Sequence, residues 1–160
     1  MSRNNYKTSI PKDILLELLR EITEERIPFN KLLGMQIDSL DLDTIGIRFD
    51  MKPQLVGNFM RGNLHGGVIS SVLDVTGGMV AWVGIIKNSE ELSFEQTTKR
   101  FSKIGTIDLR VDFLRPGLGK HFISTGTILR AGNKLSVAQM KLHNDEGLLI
   151  AVGTGSYVTG

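Results

Sequence analysis

The sequence predicts an α+β fold in which one antiparallel sheet of about six strands packs against a long helix. The apolar patterns indicate, in order, a helix, two strands, a long helix and then four strands. The long helix, at 66–85, is apolar on nearly every face, which is typical of a helix buried at the centre of a domain. Turn-forming residues separate the C-terminal alternating segments, as in the hairpins of an antiparallel sheet.

The first element is an amphipathic helix predicted at about 9–25, with Pro11 in its first turn, where a missing N–H costs nothing. Its apolar residues recur at helical spacing and form one stripe: Ile14, Leu15, Leu18, Leu19 and Ile22. Such a stripe usually packs on its own domain, so we favour this interpretation over a partner-binding helix. A short helical turn is expected to follow and to end at Gly34.

Two strands are predicted next, because the pattern changes from helical spacing to partial alternation. The apolar residues of the first strand are Met35, Ile37, Leu40 and Leu42, and IGIRFDM continues as the second strand. The segment DLDT between them predicts a hairpin. Pro53, which cannot donate to a strand ladder, is expected to close it.

The long helix is predicted from GGVISSVLDVTGGMVAWVGI at 66–85, whose length of about 20 residues argues against a strand. The pair Gly77–Gly78 is costly inside a helix and indicates the close approach of another backbone. The polar segment at 87–103 is expected to be a surface excursion with one or two helical turns.

Four strands are predicted after this excursion. In IGTIDLRVDFLRPG the alternating apolar residues are Ile107, Leu109, Val111 and Phe113. Three further strands are separated by the turn segments RAGNK and HNDEG, and RPGLGK precedes them. The sequence contains no internal repeat and no linker, so we expect one domain over 1–160, with its core at about 28–158.

Composition argues against several classes of protein. The net charge is only +2, from 19 basic and 17 acidic residues, so we expect no nucleic-acid partner. The absence of cysteine excludes disulfides and thiolate metal sites, and His65, His121 and His143 show no metal-ligand spacing. The N-terminus lacks the apolar core of a signal peptide, and the longest apolar stretch, MVAWVGII, is shorter than the roughly 20 residues that span a bilayer. We expect a cytoplasmic protein with no membrane span.

The segment NLHGGVISSVLDV at 63–75 contains the candidate chemistry. Gly66 and Gly67 begin the long helix, where free backbone N–H groups and the helix dipole suit an anion or a developing oxyanion. If only His65, Gly66 and Gly67 are considered, a tight turn without a binding role is the favoured interpretation. Asp74 lies in the apolar run that follows, and an unpaired charge is costly to bury there.

The distance between these groups has a further consequence. Asp74 follows Gly66 by eight residues, or about 12 Å along a helix, so one substrate carbonyl cannot contact both within one chain. A twofold dimer with antiparallel central helices would place Asp74 of one chain beside the glycine turn of the other. The hypothesis is therefore a composite active site formed by two chains.

Three segments together resemble the hotdog-fold acyl-CoA thioesterases of the PaaI type. NLHGGVISSVLDV, with an acidic residue nine positions after its histidine, resembles their signature. GTIDLRVDFLRPG and RAGNKLSVAQMKLHNDEG resemble the strand and the hairpin that follow it, and the similarity covers roughly 28–158. VGN before the motif and LHNDE after it are similar to the bacterial YigI-like group of medium- and long-chain acyl-CoA thioesterases.

The resemblance implies a hotdog fold, in which a curved antiparallel sheet wraps the long helix. It also implies homodimers, commonly paired into homotetramers, a role in fatty acid metabolism, and no metal or redox cofactor. Asp74 matches the catalytic carboxylate, and Gly66 matches the residue whose N–H polarises the thioester carbonyl, with His65 beside it. Thr106 falls where a hydroxyl orients the water, and Asn58 resembles an asparagine upstream of the motif.

Substrate-binding residues are less well defined by the sequence. Arg115, Arg130 and Lys134 could hold the phosphates of coenzyme A, and a solvated role is equally compatible with each. Trp82 and Met79 are expected either in the core or along the acyl tunnel.

The leading hypothesis is hydrolysis of acyl-CoA, with Asp74 as general base or as nucleophile. Medium to long aliphatic chains are favoured by the resemblance alone. Two alternatives remain open: an acyl-CoA-binding sensor without catalysis, and a hotdog hydratase or dehydratase.

Overall fold

A computed structural model describes residues 9–89 and 93–160. The predicted surface excursion at 87–103 includes 90–92, and the predicted domain includes 1–8; these two stretches lie outside the described residues. The helices are α1 (Lys12–Glu21), α2 (Pro28–Leu33), α3 (Gly66–Asn88) and α4 (Phe94–Phe101). The strands are β1 (Gln36–Leu40), β2 (Ile45–Asp50), β3 (Val56–Asn58), β4 (Asn63–Leu64), β5 (Gly105–Phe113), β6 (His121–Ala131), β7 (Leu135–Asn144) and β8 (Leu149–Val158).

The main sheet has six strands in the order β1-β2-β6-β7-β8-β5, and all of its neighbouring strands are antiparallel. Helix α3 packs across β6, β7 and β8. This arrangement confirms the predicted fold class, including the long helix and the four strands after it. A second pair of strands, β3 and β4, was not predicted, because segments of three and two residues are too short to show alternation.

Helix α3 lies close to the sheet because glycines face it from the strands. A Cβ added to Gly126 would lie 2.5 Å from Val80, and one added to Gly153 would lie 3.4 Å from Leu73. The Thr76 hydroxyl lies 2.7 Å from that of Ser124 on β6, so this buried pair is hydrogen-bonded. Close packing of this kind leaves much of α3 without contact with solvent.

The membrane argument from the sequence considered only the uninterrupted apolar stretch MVAWVGII, which the structure places within the longer helix α3. Helix α3 has 23 residues and is long and apolar enough to cross a bilayer by length and composition alone. However, 72% of its most apolar window is buried inside the protein, which is the environment of a core helix. Its hydrophobicity is therefore explained by the core of this domain.

The N-terminal helix differs from the prediction in three details. Pro11 is the residue that precedes α1 rather than a member of its first turn. Ile14, which was expected in the buried stripe, is 54% exposed, while Leu15 and Leu19 are buried. Helix α1 ends at Glu21 and continues as a π-helical turn, Ile22–Arg26, closed by a bond from the Ile27 N–H to the Ile22 carbonyl at 3.2 Å. The helical geometry changes there, so the apolar stripe does not continue at regular spacing.

The predicted hairpin between β1 and β2 is confirmed. One carboxylate oxygen of Asp41 accepts hydrogen bonds from the backbone N–H groups of Asp43 and Thr44, at 2.7 and 2.6 Å. These bonds hold the turn and lower the pKa of Asp41. Gly34 ends α2 in the left-handed conformation, with φ of 72°, as expected, and Pro53 begins a single 3₁₀ turn after β2.

Candidate active site

Asp74 lies in the middle of α3 with its carboxylate half-buried. The hydroxyl of Thr106, near the start of β5, donates a hydrogen bond to one carboxylate oxygen at 2.8 Å. Helix and strand thus bring together two residues that are 32 positions apart in the chain. The hydroxyl of Thr106 therefore fixes the position of a carboxylate that water can still reach.

A β-bulge in β5 directs Thr106 toward the helix. Thr106 pairs with Tyr157 of β8, but Asp108 pairs with Ser156, so Ile107 is an extra residue in the strand. In regular alternation Thr106 would share a face with Asp108 and point away from Leu109. The extra residue shifts the alternation by one position, so that Thr106 and Leu109 lie on the same face. The side-chain contact with Asp74 depends on this irregularity.

Tyr157 belongs to the same site and was not identified from the sequence. Its hydroxyl donates to the backbone carbonyl of Asp74 at 3.2 Å, and the residue is only 1% exposed. Burial, followed by the negative charge of Asp74, raises the pKa of Tyr157 far above its usual value. The phenol therefore stays protonated and acts as a donor that holds the helix at Asp74. The apolar pattern of β8 shows that this tyrosine faces inward but not that it reaches Asp74.

The sequence predicted that another backbone lies close to the pair Gly77–Gly78 of α3. That prediction was wrong, because the close neighbour is the side chain of Tyr157. A Cβ added to Gly77 would overlap the Tyr157 hydroxyl, so the close neighbour is a side chain. A Cβ added to Gly78 would have no atom within 4 Å. The two adjacent glycines therefore have different roles: Gly77 admits Tyr157, and Gly78 leaves open space.

We expect Gly77→Ala to destabilise the protein by about 1–3 kcal/mol, because overpacking against Tyr157 outweighs the gain in helix propensity. Gly84→Ala is the matched control on the same helix. Its added Cβ would lie 3.6 Å from Ile128, an ordinary contact, so its stability should be unchanged or higher by up to about 1 kcal/mol. Urea unfolding of both variants measures the difference. Equal stabilities would contradict the role assigned to Gly77.

Asp74 lies at one end of a cavity of about 240 Å³, which we call the carboxylate cavity. Its polar end consists of Asp74, Thr106 and Tyr157. The remaining wall is largely apolar and includes Leu19, Ile22, Ile27, Val75, Met79, Trp82, Phe101 and Ile104. Met79 and Trp82 are 4% and 5% exposed and belong to the core, and both also line this cavity. Their place along an acyl tunnel stays a prediction.

The glycine turn at the start of α3 offers one backbone donor rather than two. The Nδ1 atom of His65 accepts the N–H of Gly67 at 2.9 Å and caps the helix, so the expectation that both glycine N–H groups are free was wrong. The lone pair on Nδ1 places the ring proton on Nε2 in neutral His65. Gly66 has no hydrogen-bond acceptor for its N–H within 9–89 and 93–160. The candidate oxyanion donor is therefore Gly66 alone.

A second cavity, of about 390 Å³, borders the glycine turn, and we call it the glycine-turn cavity. Its walls include Gly66, Asn58, Arg61, Phe113 and Arg115. The side-chain oxygen of Asn58 accepts the backbone N–H groups of Met60 and Arg61, at 3.1 and 3.3 Å, and so holds the loop between β3 and β4. Arg115 donates to the Leu149 carbonyl at 3.0 Å.

The single chain does not bring all the predicted site residues together. Asp74 and Thr106 line one cavity, whereas Gly66, Asn58 and Arg115 line the other. Arg130 and Lys134 lie near the turn between β6 and β7, beside the C-terminal end of α3 and far from the glycine turn. In the described part of the chain, no three histidine, aspartate or glutamate side chains are grouped as metal ligands.

Comparison with known proteins gives consistent results. The family model of the thioesterase superfamily matches residues 61–151. The medium/long-chain acyl-CoA thioesterase YigI of Escherichia coli K12 is 43% identical over 91% of this chain and 94% of its own length. The protein of the same name from Salmonella typhimurium is 42% identical over the same shares. A crystal structure from Shewanella oneidensis, described as related to the thioesterase superfamily, is 43% identical, covers 93% of this chain and 97% of its own, and has a TM-score of 0.91.

Proposed function

This chain belongs to the thioesterase superfamily, and from that membership we propose that it hydrolyses medium- to long-chain fatty acyl-CoA to free fatty acid and coenzyme A. One observation carries the proposal: a half-buried carboxylate, Asp74, hydrogen-bonded to Thr106, stands at the polar end of an otherwise apolar cavity. The cavity suits a hydrocarbon chain, and its polar end suits the thioester. The relatives named as medium/long-chain acyl-CoA thioesterases support the same substrate class.

The chemistry needs three groups and no cofactor. Asp74 takes a proton from a water molecule while the water oxygen bonds to the thioester carbon, and Thr106 holds the carboxylate in position. The charge that develops on the carbonyl oxygen is stabilised by the N–H of Gly66. The carbon–sulfur bond then breaks, and coenzyme A leaves as a thiolate, which recovers the proton that Asp74 took from the water. Direct attack by Asp74, through an anhydride that water then hydrolyses, uses the same residues.

We propose that the active site is formed by two chains, because α3 and β5 run side by side in opposite directions. Near one end of β5, Thr106 contacts Asp74. At the other end, the ring of Phe113 would lie 3.4 Å from a Cβ added to Gly66. The strand therefore passes both halves of the site, about 12 Å apart along the helix.

An antiparallel pairing of β5 with β5 of a second chain would join these halves. With Thr106 of one chain opposite Phe113 of the other, Asp74 comes beside the partner's glycine turn, and the twofold axis creates two such sites. β5 is an edge strand of the main sheet, and Ile107 and Phe113 on it are 61% and 56% exposed. A long edge strand with exposed apolar residues is normally covered. A homodimer would cover this strand. From the family resemblance we also propose that two such dimers pair into a homotetramer.

Arg115 lines the glycine-turn cavity together with Gly66, and we propose that it binds a phosphate of coenzyme A. Arg61 lines the same cavity and adds a second positive charge. Arg130 and Lys134 lie at the other end of α3, and they could take part only if another chain brought them to the site.

We expect the purified protein to release free thiol from straight-chain acyl-CoA substrates. A thiol reagent follows coenzyme A release across a series from hexanoyl-CoA to stearoyl-CoA, with benzoyl-CoA and phenylacetyl-CoA as aromatic comparisons. The relatives named as medium/long-chain acyl-CoA thioesterases favour medium and long aliphatic chains over the aromatic ones. No release from any of these compounds would refute hydrolysis and favour an acyl-CoA sensor or a hydratase.

A further inference from the structure

We propose that the contacting aromatic pair Trp82–Phe101 is the floor of the carboxylate cavity and sets the longest acyl chain that the enzyme binds fully. This proposal rests on the proposed thioesterase function, since it assigns the cavity to the acyl group. It adds a determinant of chain length that lies outside the reacting groups. Three features of the molecule support it: the direction of the cavity, the rings that close it, and the void behind them.

The direction of the cavity follows α3. Asp74, Gly78 and Trp82 are spaced by four residues, so they lie on successive turns of one helix face, and all three line the cavity. The distance from Asp74 to Trp82 along the helix axis is about 12 Å. Gly78, with no atom within 4 Å of an added Cβ, leaves the middle of this path open. An acyl chain whose thioester lies at Asp74 would therefore extend along α3 toward Trp82.

The two aromatic rings close this path. The ring centroids of Trp82 and Phe101 are 4.5 Å apart with an interplanar angle of 35°. Trp82 comes from the central helix and Phe101 from the last turn of α4, so the floor joins two separate elements. Trp82 is 5% exposed and packed in the hydrophobic core, which limits its movement when a chain end reaches it.

Behind the rings lies a second, much smaller void of about 10 Å³. Both rings line it, together with Leu15, Leu18, Leu19, Ile86 and Thr97. Trp82, Phe101 and Leu19 border both spaces, so the two rings form the aromatic part of the partition between them. Removing part of either ring would join the small void to the carboxylate cavity and lengthen the apolar path.

The opposite wall comes from the N-terminal helical segment. Leu19 of α1, Ile22 and Thr23 of the π-helical turn, and Ile27 line the cavity across from α3. The only hydroxyl among them, that of Thr23, is already bonded to the Leu19 carbonyl at 2.8 Å. This wall therefore offers an acyl chain apolar contact along its length, and the floor remains the feature that limits chain length.

The consequence for the enzyme is a characteristic dependence of kcat/KM on chain length. Each methylene that the cavity buries should raise kcat/KM about fourfold, from the transfer free energy of one CH₂. Once the chain end meets the ring pair, further methylenes remain outside the cavity or force a less favourable position. The gain per methylene should then stop.

The test uses Trp82→Leu and Phe101→Leu, each of which opens the partition from one side. In both variants we expect the chain-length optimum to shift to longer acyl-CoA substrates. Each additional methylene that is buried should raise kcat/KM about fourfold. Val83→Ala is the matched control. It is a buried residue of the same helix, 3% exposed, that lines neither space, so its chain-length profile should match that of the wild type. The second ring variant gives the result if the first does not fold.

The outcomes separate this proposal from the proposed function. If the wild type releases no thiol from any acyl-CoA, hydrolysis itself is refuted, and the floor has no substrate to limit. If the wild type is active and both ring variants keep its chain-length optimum, the floor is refuted and the thioesterase function stands. If Val83→Ala shifts the optimum as the ring variants do, the effect comes from general loosening of the core and the floor is again refuted.

Discussion

Asp74→Ala is expected to lower kcat/KM for acyl-CoA hydrolysis by about 10²–10⁴-fold, because it removes the group that accepts the proton of the attacking water. The variant should fold, since the lost carboxylate is half-buried and its main partner is one hydroxyl, that of Thr106. Thiol release under saturating and limiting substrate gives kcat and kcat/KM, and urea unfolding gives the stability. Asp13→Ala, at an exposed aspartate in the first turn of α1, is the matched control and should keep normal activity.

The same residue also allows the two mechanisms to be separated. Hydrolysis can be followed for a single turnover in water labelled with oxygen-18. If Asp74 acts as general base, the label enters the fatty acid directly. If Asp74 attacks the thioester, its carboxylate becomes part of an anhydride, and heavy oxygen can appear in the enzyme itself. Near-normal hydrolysis by Asp74→Ala would contradict both mechanisms and remove this residue from the active site.

Most of the fold could be predicted from the sequence because each of its longer elements has an independent local signal. The main strands are marked by alternation and by turn residues, and α3 by a long run without alternation. The hairpin at DLDT is an example, since Asp41 supplies the turn bonds from within the turn. Gly34 is another, because a helix that ends in the left-handed conformation favours glycine. These signals act over a few residues and do not depend on tertiary contacts.

The site was harder to predict because its contacts depend on register and on neighbours distant in sequence. Thr106 faces Asp74 only because Ile107 is an extra residue in β5, and no local pattern marks that bulge. Tyr157 reaches the Asp74 backbone from the opposite end of the chain. The Gly77–Gly78 pair did signal a close neighbour, but the sequence could not show that this neighbour is the ring of Tyr157.

The walls of the carboxylate cavity show a similar limit. The apolar stripe of the N-terminal helix predicted that the helix packs on the domain, but not which surface it covers. In the structure, Leu19 and Ile22 complete a cavity beside Asp74, and Ile14 remains exposed. An amphipathic pattern fixes which face of a helix is buried, whereas its partner depends on the whole fold. By contrast, the separation of Asp74 from Gly66 follows from the helical rise alone, and for this reason the sequence by itself predicts a two-chain site.

Gly66→Pro is expected to lower kcat by about 10²–10³-fold, because it removes the single N–H proposed to stabilise the oxyanion. Proline fits this position: Gly66 is the first residue of α3, where proline is favoured, and His65 has φ of −65° and ψ of 136°, the region preferred before proline. Gly66→Ala is the matched control, since it keeps the N–H and its Cβ would lie 3.4 Å from Phe113. Similar activities for the two variants would show that the Gly66 N–H has no role in the reaction.

Co-expression of the Gly66→Pro and Asp74→Ala chains tests whether the two groups act across a dimer. Each variant alone has both of its sites disabled. In a mixed dimer, Asp74 of the Gly66→Pro chain meets the intact glycine turn of the Asp74→Ala chain, so one complete site returns. Random pairing should therefore restore about a quarter of wild-type activity. If both groups acted within one chain, no mixed dimer would contain a complete site, and the co-expressed chains would stay as inactive as either variant alone.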